Sequence, residues 1–205
     1  TNLHHYIEWL ATEKRRSFRD YHELWKWSVD NLEDFWESLW QYFDIIHDGK
    51  YSSVLGEQQP YNVSWFEGTH LNYGEHIFRK SSESQPAIII KSESTGLRQI
   101  SWQELRNKTA SLQHHLRSSG IASGDCIAAY MPCIPEATIG LLAAVSLGAI
   151  WSSCSPDFGT AAVIDRFYEV GVYPDWWKPE PMKTDAAWDY TCAAVLRHDP
   201  NTRGI

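Results

Sequence analysis

A short polar segment, residues 152–159, carries the residue types best suited to contact a ligand. It reads Ser-Ser-Cys-Ser-Pro-Asp-Phe-Gly and follows an apolar run predicted to be a strand. In open parallel sheets, ligands bind outside the carboxyl ends of the strands. Gly159 lets a ligand approach the backbone closely, and Thr160 is placed to begin a helix whose N-terminus favours a phosphate. The alternative is a plain strand-to-helix turn in which Asp157 caps the helix.

Other segments that could carry chemistry have simpler interpretations. His70 and His76 lie six residues apart, which does not suit one helical face, and the remaining histidines show no metal-ligand spacing. Segment 92–96 is rich in Ser, Thr and Gly, but no lysine follows it, so a hairpin turn is predicted rather than a phosphate loop. The four cysteines form no CxxC pair, which indicates reduced structural thiols. No catalytic residue and no metal ligand is predicted.

Residues 124–166 are predicted to form the unit that positions segment 152–159. An apolar run at 125–130 predicts a strand, and the small apolar residues of 136–147 predict a helix that is buried on most faces. Gly148 is suited to end that helix, because glycine adopts the left-handed conformation without strain. A second apolar run at 149–153 completes a parallel βαβ unit.

The segment before this unit continues the same alternation of strands and helices. Residues 87–91 and 97–101 are predicted to be the two strands of a hairpin. A helix is expected to begin at Ser101, where Glu104 completes a capping box, and to end at Gly120. Alternating strands and helices from residue 97 onward predict an α/β fold with a parallel sheet.

The N-terminal region is predicted to be helical and unusually aromatic. Residues 1–18 show little period, with at most one helical turn around Tyr6 and Trp9, whereas Asp20 is suited to cap a helix that runs to Asn31. Asn31 is in turn the expected N-cap of an amphipathic helix. Six apolar residues, named here the aromatic stripe, follow its helical period: Leu32, Phe35, Trp36, Leu39, Trp40 and Phe43. The aromatic stripe predicts a packing surface that docks on the following domain.

Composition describes an ordinary globular chain of 205 residues, with 43% hydrophobic and 21% charged residues. The formal net charge of -8 excludes a general nucleic-acid binder, which needs a basic surface. No apolar run has the length of a membrane span, and no N-terminal signal is recognisable, so no membrane contact and a cytoplasmic address are expected. Thr1 and Ile205 both look like cuts, so the chain is expected to be a piece of a longer protein. No oligomeric state is predicted.

Roughly residues 1–167 resemble the adenylate-forming acyl-CoA synthetases, and within them the branch that uses acetoacetate. The resemblance rests on an aromatic N-terminal cap and on several motifs: 65–73, 100–105, 141–153, 151–159 and 163–167. It implies a two-step reaction that requires ATP, magnesium and CoA, with acetoacetate or a similar short carboxylate as substrate. The phosphate loop, acidic ribose contact and mobile lysine of the family are not recognisable here, so the isolated chain is expected to be inactive.

The resemblance also implies a role for segment 152–159. In short-chain members of the family, the corresponding loop contributes to the site of the CoA nucleotide. Because Asp157 would repel a phosphate, contact with adenine or ribose is the expected role. The candidate cofactor-binding residues are therefore Pro156, Asp157, Phe158 and Gly159.

After Phe167 the resemblance changes. Residues 168–205 are similar to an aldolase-like (β/α)8 domain that is fused to sugar kinases of inositol breakdown, chiefly through the motif at 174–181. In such aldolases a strand-borne lysine forms a Schiff base, and Lys178 would take that role. The alternative is a lysine whose stem lies across neighbouring indoles with its charge in water. The alternative is favoured, because one βα unit cannot build a barrel site.

The predicted organisation is α/β, with a helical aromatic cap, an incomplete parallel-sheet domain of the acyl-CoA synthetase type, and a short βα tail. The expected domains are 1–60, including a linker at 49–61, then 61–167 and 168–205. The leading functional prediction is a fragment of a carboxylate–CoA ligase. Two alternatives remain: a fragment of an aldolase-class sugar-phosphate enzyme, and a non-catalytic interaction module that displays the aromatic stripe.

Overall fold

The computed structural model describes residues 1–59, 62–79, 81–93, 96–164 and 176–179, and the single positions 189, 192, 193, 196 and 197. The chain divides into two compact units, Thr1–Leu71 and Asn72–Ile205, named here the helical unit and the sheet unit. The boundary between the two units lies after Leu71, whereas the first predicted domain ended at residue 60. The three-part domain organisation stays a prediction.

Three helices form most of the helical unit: α1 (Asn2–Glu13), α2 (Tyr21–Asp30) and α3 (Leu32–Tyr42). The Oγ1 of Thr1 accepts a hydrogen bond from the N–H of His4 and caps α1. The carboxylate of Asp20 likewise accepts from the N–H of Glu23 at 3.0 Å, as predicted for α2. The weak period of residues 1–18 was misleading: α1 has three turns rather than one, because its buried positions Tyr6 and Leu10 are spaced one turn apart.

Asn31 occupies the N-cap position of α3 but does not cap that helix with its side chain. Its Nδ2 instead donates to the carbonyl oxygen of Trp27 at 3.3 Å, in the preceding helix. The predicted capping role of Asn31 is therefore wrong, although the helix begins where it was expected. The one-residue connection between α2 and α3 places this side chain within reach of the last turn of α2.

The aromatic stripe of α3 divides between two contacts within the helical unit. Phe35 and Leu39 pack against the buried cluster of Tyr6, Leu10, Leu24 and Trp27. On its other side, the indole of Trp40 stacks on the ring of Phe66, with centroids 4.1 Å apart. Phe35, Leu39 and Trp40 thus pack as predicted, whereas Leu32, Trp36 and Phe43 are 42%, 42% and 52% exposed. The docking of the stripe on the following domain stays a prediction.

The segment expected to be a linker, 49–61, contains a strand. β1 (Leu55–Gln59) pairs antiparallel with β2 (Asn62–Trp65). Composition suggested a linker because the segment has many polar residues, but the partner strand supplies the backbone hydrogen bonds that such residues can use. The linker prediction is wrong for the residues of β1.

The sheet unit begins with α4 (Tyr73–Arg79), followed by an antiparallel hairpin of β3 (Ile88–Ile90) and β4 (Arg98–Ile100). The antiparallel pairing confirms the predicted hairpin, and residues 94 and 95 of segment 92–96 lie outside the described residues. α5 (Trp102–Ser118) then begins with Ser101 as its cap, whose Oγ accepts from the N–H of Glu104 at 3.1 Å. Only half of the predicted capping box forms, because the Glu104 carboxylate pairs with Lys108 at 2.8 Å.

The predicted βαβ unit is confirmed. It consists of β5 (Cys126–Tyr130), α6 (Pro135–Ser146) and β6 (Ile150–Cys154), and β5 and β6 pair in parallel. Pro135 lies in the first turn of α6, where its missing N–H costs no hydrogen bond. Gly148 has a positive φ of 74°, and a Cβ there would lie 2.6 Å from the Oγ of Ser123, so glycine is required at the end of this helix.

Two further elements complete the described part of this sheet. α7 (Thr160–Ile164) follows β6, and β7 (Trp176–Pro179) pairs in parallel with the free side of β5. The strand order is β6-β5-β7. The tail motif at 174–181 therefore contributes its strand to the same sheet as the βαβ unit; the other described positions of 168–205 are single residues.

Hydrophobic clusters cover both faces of β5. Ile127 belongs to a cluster with Ala143 and Ala144 of α6, whereas Ala128 belongs to a second cluster with Val163 of α7. Because neighbouring strand residues point to opposite faces, α6 and α7 lie on opposite sides of the sheet. This is the arrangement of a doubly wound α/β sheet.

Candidate functional site

The carboxyl ends of the three parallel strands lie together at one edge of the sheet. Tyr130, the last residue of β5, pairs in register with Cys154 of β6 and with Pro179 of β7. β6 follows β5 on one side and β7 lies on the other, which is the topology that opens a ligand crevice next to the central strand. The loop 155–159, which follows β6, leaves the sheet at this edge.

Ser155 and Asp157 organise the first half of that loop. The Oγ of Ser155 donates to the Oδ2 of Asp157 at 3.0 Å and accepts from the N–H of Asp157 at 3.4 Å. The N–H of Phe158 donates to the carbonyl oxygen of Ser155 at 3.1 Å. These bonds direct the N–H groups of Asp157 and Phe158 back toward Ser155, so neither N–H is available to bind a phosphate.

Asp157 closes the turn before α7. Its carboxylate accepts a hydrogen bond from the hydroxyl of Ser155, and the N–H of Val163 donates to the carbonyl oxygen of Gly159 at 3.1 Å. The alternative in which Asp157 is a helix cap stays a prediction. A helix does begin at Thr160, as predicted, and its described part is Thr160–Ile164.

Tyr130 fastens the second half of the loop. Its phenolic oxygen lies 2.9 Å from the carbonyl oxygen of Pro156 and 2.6 Å from that of Phe158. The ring of Tyr130 packs against the cluster that contains Ala128, Cys154 and Val163, and this packing fixes the position of the hydroxyl. Sequence reasoning missed this residue, because a tyrosine at a strand end was counted only as part of an apolar run.

Phe158 and Gly159 present the most open surface of the loop. The Phe158 side chain is 45% exposed, and a Cβ added at Gly159 would meet no atom within 4 Å. An exposed aromatic face can stack on a planar base. The second carboxylate oxygen of Asp157 can accept from a ribose hydroxyl or an exocyclic amine. The loop thus suits the base and ribose of a nucleotide better than its phosphates.

The described residues contain no metal site of the kind that His, Cys, Asp and Glu side chains form, and they do not test the Schiff-base role of Lys178. No group of three or more His, Cys, Asp or Glu side chains that could hold a metal ion occurs among them. Lys178 pairs through its backbone with Ala129 in the register of β7. Its side chain lies outside what the structure describes, so the Schiff-base role stays a prediction. None of the described helices is long and apolar enough to cross a membrane.

A second candidate is a cavity of about 180 Å³ in the helical unit. Its charged lining groups already have partners: Arg16 pairs with Asp34 at 3.3 Å, and the carboxylate of Glu37 accepts from the hydroxyl of Tyr51 at 2.7 Å. The guanidinium of Arg16 also lies 4.9 Å from the ring centre of Trp27. A ligand would have to displace these interactions, so the cavity is a weaker candidate than the sheet edge.

Comparisons with known proteins agree with the fold of both units. Residues 21–77 match the family described as "Acetyl-coenzyme A synthetase N-terminus", and residues 136–205 match one described as "Uncharacterized protein conserved in bacteria (DUF2090)". A solved structure of acetoacetyl-CoA synthetase from Streptomyces lividans superposes with a TM-score of 0.83 and 33% identity, over 97% of this chain and 32% of that chain.

Relatives of known name include two kinds of CoA synthetase. The acetoacetyl-coenzyme A synthetase of Rhizobium meliloti (strain 1021) is 37% identical over 165 residues, which are 80% of this chain and 25% of the relative. The malonamoyl-CoA synthetase of Penicillium aethiopicum is 34% identical over 181 residues, which are 85% of this chain and 24% of the relative. The chain thus spans about a quarter of the length of these relatives.

These matches bear on the two resemblances differently. The relatives and the N-terminal family match support an acyl-CoA synthetase family, as predicted. The aldolase-like resemblance of 168–205 receives no support from them, and the family matched in that part is described without an activity. It remains a prediction from the sequence.

Proposed function

Taking an acyl-CoA synthetase family as the premise, we propose that the chain is part of an ATP-dependent ligase that joins a short carboxylic acid to CoA. In this reaction the carboxylate attacks the α-phosphate of ATP, which gives an acyl adenylate and releases pyrophosphate. The thiol of CoA then attacks the acyl carbon, which forms the thioester and releases AMP. The observation that carries the proposal is the 37% identity to an acetoacetyl-coenzyme A synthetase over 80% of the chain.

The proposed substrate is a short carboxylate with a second carbonyl group on the third carbon. Acetoacetate has this form, and so does malonamate, the acids named in the products of the two kinds of relative. The two acids differ only in the group on that carbonyl, which is a methyl in acetoacetate and an amino group in malonamate. Acetoacetate is the proposed substrate, because the relative with 37% identity and the solved structure are both acetoacetyl-CoA synthetases. The proposed location is the cytoplasm.

Within this function, the proposed task of the sheet edge is to contact the nucleotide of CoA. The exposed ring of Phe158 stacks on adenine, Asp157 accepts from the ribose or the adenine amine, and Pro156 and Gly159 bound the loop on either side. ATP and magnesium supply phosphoryl activation in the proposed reaction, and we assign neither to particular residues of this chain.

Pyrophosphate release tests whether the chain is only a part of such a ligase. The 205-residue chain is mixed with acetoacetate, ATP, magnesium and CoA, and the same mixture without acetoacetate is the control. We expect no release above the control, because the chain covers only about a quarter of the length of its relatives. Acetoacetate-dependent release would show that the chain is a complete catalyst and would overturn the proposal that it is only a part of one.

Replacing Phe158 with alanine tests the CoA contact. Base stacking on an aromatic ring is worth about 1–3 kcal/mol, so we expect the Kd for CoA, measured by calorimetry, to rise by about fivefold to 150-fold. Phe43→Ala is the matched control, since Phe43 is also exposed but lies in the helical unit. Equal Kd values for the Phe158→Ala variant and the unaltered chain would remove the proposed contact.

A further inference from the structure

Tyr130 is placed to control the shape of the loop 155–159 from beneath it. Its phenolic oxygen contacts two carbonyl groups that are only two residues apart, those of Pro156 and Phe158, at 2.9 and 2.6 Å. A phenol has one hydrogen, so the two carbonyls share a single donor and must both face it. This sets the orientation of the peptide plane that precedes Asp157 and of the one that follows Phe158.

The backbone of Tyr130 is held by strand pairing, and its ring is held by side-chain packing. The residue ends β5, the central strand of the sheet, and is held in register by β6 and β7 on both sides. Its ring packs in the cluster of Ala128, Cys154 and Val163, which joins β5, β6 and α7. The hydroxyl is therefore a fixed point, whereas the loop above it is exposed at Asp157, Phe158 and Gly159.

Carbonyl orientation determines where the Phe158 ring points. The carbonyl of Phe158 turns inward to Tyr130, and its N–H turns inward to Ser155. With both polar groups of the residue directed toward the protein, its side chain is left on the solvent side, where it is 45% exposed. The two inward bonds thus present an aromatic face at the carboxyl edge of the sheet.

We propose that Tyr130 is a positioning residue, whose hydroxyl fixes the 156–158 backbone and thereby presents the Phe158 ring to the base of a nucleotide. The role in nucleotide binding rests on the function proposed above; the role in fixing the loop does not. Tyr130 makes no contact with the ligand in this scheme and acts only through the loop.

Limited proteolysis with chymotrypsin tests the loop role directly. The variant Tyr130→Phe keeps the packed ring and removes only the hydroxyl. A neutral hydrogen bond of ordinary strength corresponds to about a five- to tenfold change in an equilibrium. We therefore expect cleavage after Phe158 to accelerate by about that factor, as measured by mass spectrometry. Cleavage after Tyr73, an exposed residue of the same unit, should not change.

Tyr73→Phe is the matched control variant, because it makes the same chemical change at an exposed position of the sheet unit. Cleavage after Phe158 should be unaffected in this control. An unchanged rate at Phe158 in Tyr130→Phe overturns the proposal. So does an equal acceleration at Phe158 and Tyr73, which would indicate that the hydroxyl stabilises the whole unit and does not position the loop.

Calorimetric titration with CoA separates this inference from the proposed function. If the loop presents Phe158 to the nucleotide, Tyr130→Phe should weaken CoA binding by about the same five- to tenfold. If cleavage responds but the unaltered chain binds no CoA, the loop role is supported and the proposed CoA contact fails. If the unaltered chain and Tyr130→Phe bind CoA equally while cleavage responds, the presentation of Phe158 is overturned.

Discussion

The two units of this chain are stabilised by different kinds of side chain. In the helical unit, large aromatic residues make most of the described contacts, such as the edge-to-face pair of Trp27 and Phe35, 5.8 Å apart. In the sheet unit, the clusters on β5 consist mainly of alanine, isoleucine, leucine and valine. Both kinds of side chain exclude water, but they do so with different geometry.

Aromatic rings cover a large area and leave part of themselves exposed, whereas small side chains allow backbones to approach closely. In the helical unit, Trp25 and Trp36 remain about half exposed, although Trp36 contacts Trp65. In the sheet unit, Gly140 of α6 leaves room for the ring of Trp151 of β6, because a Cβ on Gly140 would lie 2.6 Å from that ring. The sheet unit should therefore tolerate changes in side-chain volume less well than the helical unit.

The largest effect is expected from Ile127→Ala in the centre of β5. Ile127 is 1% exposed and packs against α6, so its truncation should lower the free energy of unfolding of the sheet unit by about 2–5 kcal/mol. Urea unfolding followed by circular dichroism measures the change. Ile89→Ala, at a position that is 61% exposed, should cost less than about 0.5 kcal/mol. Similar costs for the two variants would contradict the close packing inferred for this sheet.

A smaller change in the free energy of unfolding should distinguish Ser101 from Asn31, which the sequence predicted to be N-caps of the same kind. Ser101 caps α5 in the sheet unit through a bond of 3.1 Å, so Ser101→Ala should cost about 1 kcal/mol. Asn31→Ala in the helical unit should cost less, because Asn31 makes no side-chain cap bond to α3. The comparison again uses urea unfolding, and a larger cost at Asn31 would show that its bond to Trp27 matters more than a helix cap.

The contrast between the units also explains which parts of the fold the sequence predicted. The apolar runs and Gly148 predicted the βαβ unit well, because an apolar strand, a helix of small apolar residues and a glycine stop are each local features of the sequence. The three turns of α1 were missed, since its stability comes from Tyr6 and Leu10 packing on residues more than ten positions away. Local pattern cannot report such contacts.

The candidate site was predicted in part for the same reason. The loop 155–159 could be located from strand order, because ligand crevices follow the carboxyl ends of parallel strands. Tyr130 could not be found in this way: it lies 26 residues before Pro156 in sequence, and only the parallel pairing of β5 with β6 brings its hydroxyl beneath the loop. The strand contributed by 176–179 was likewise expected in a tail and not in this sheet.

The smallest expected effect is confined to alkaline pH and to the helical unit. Burial raises the pKa of Tyr6 above its ordinary value, and the hydroxyl is hydrogen-bonded to Ser38 at 2.6 Å. Because the folded state holds this proton more tightly than the unfolded chain, the resulting stabilisation is complete below the ordinary tyrosine pKa of about 10. It is lost as the pH rises through the raised pKa of the folded state.

Tyr6→Phe should therefore flatten the alkaline loss of stability without abolishing it, since a hydrogen bond to Glu37 also raises the pKa of Tyr51. Urea midpoints, followed by the helical circular dichroism signal, should fall less between about pH 9 and pH 11 in the variant than in the unaltered chain. Tyr21→Phe, which changes an exposed tyrosine of α2, is the control and should retain the full fall. If both variants lose stability equally over this range, the alkaline sensitivity does not arise at Tyr6. Burying the hydroxyl of Tyr6 in the aromatic cluster of the helical unit would then not make that unit sensitive to alkaline pH.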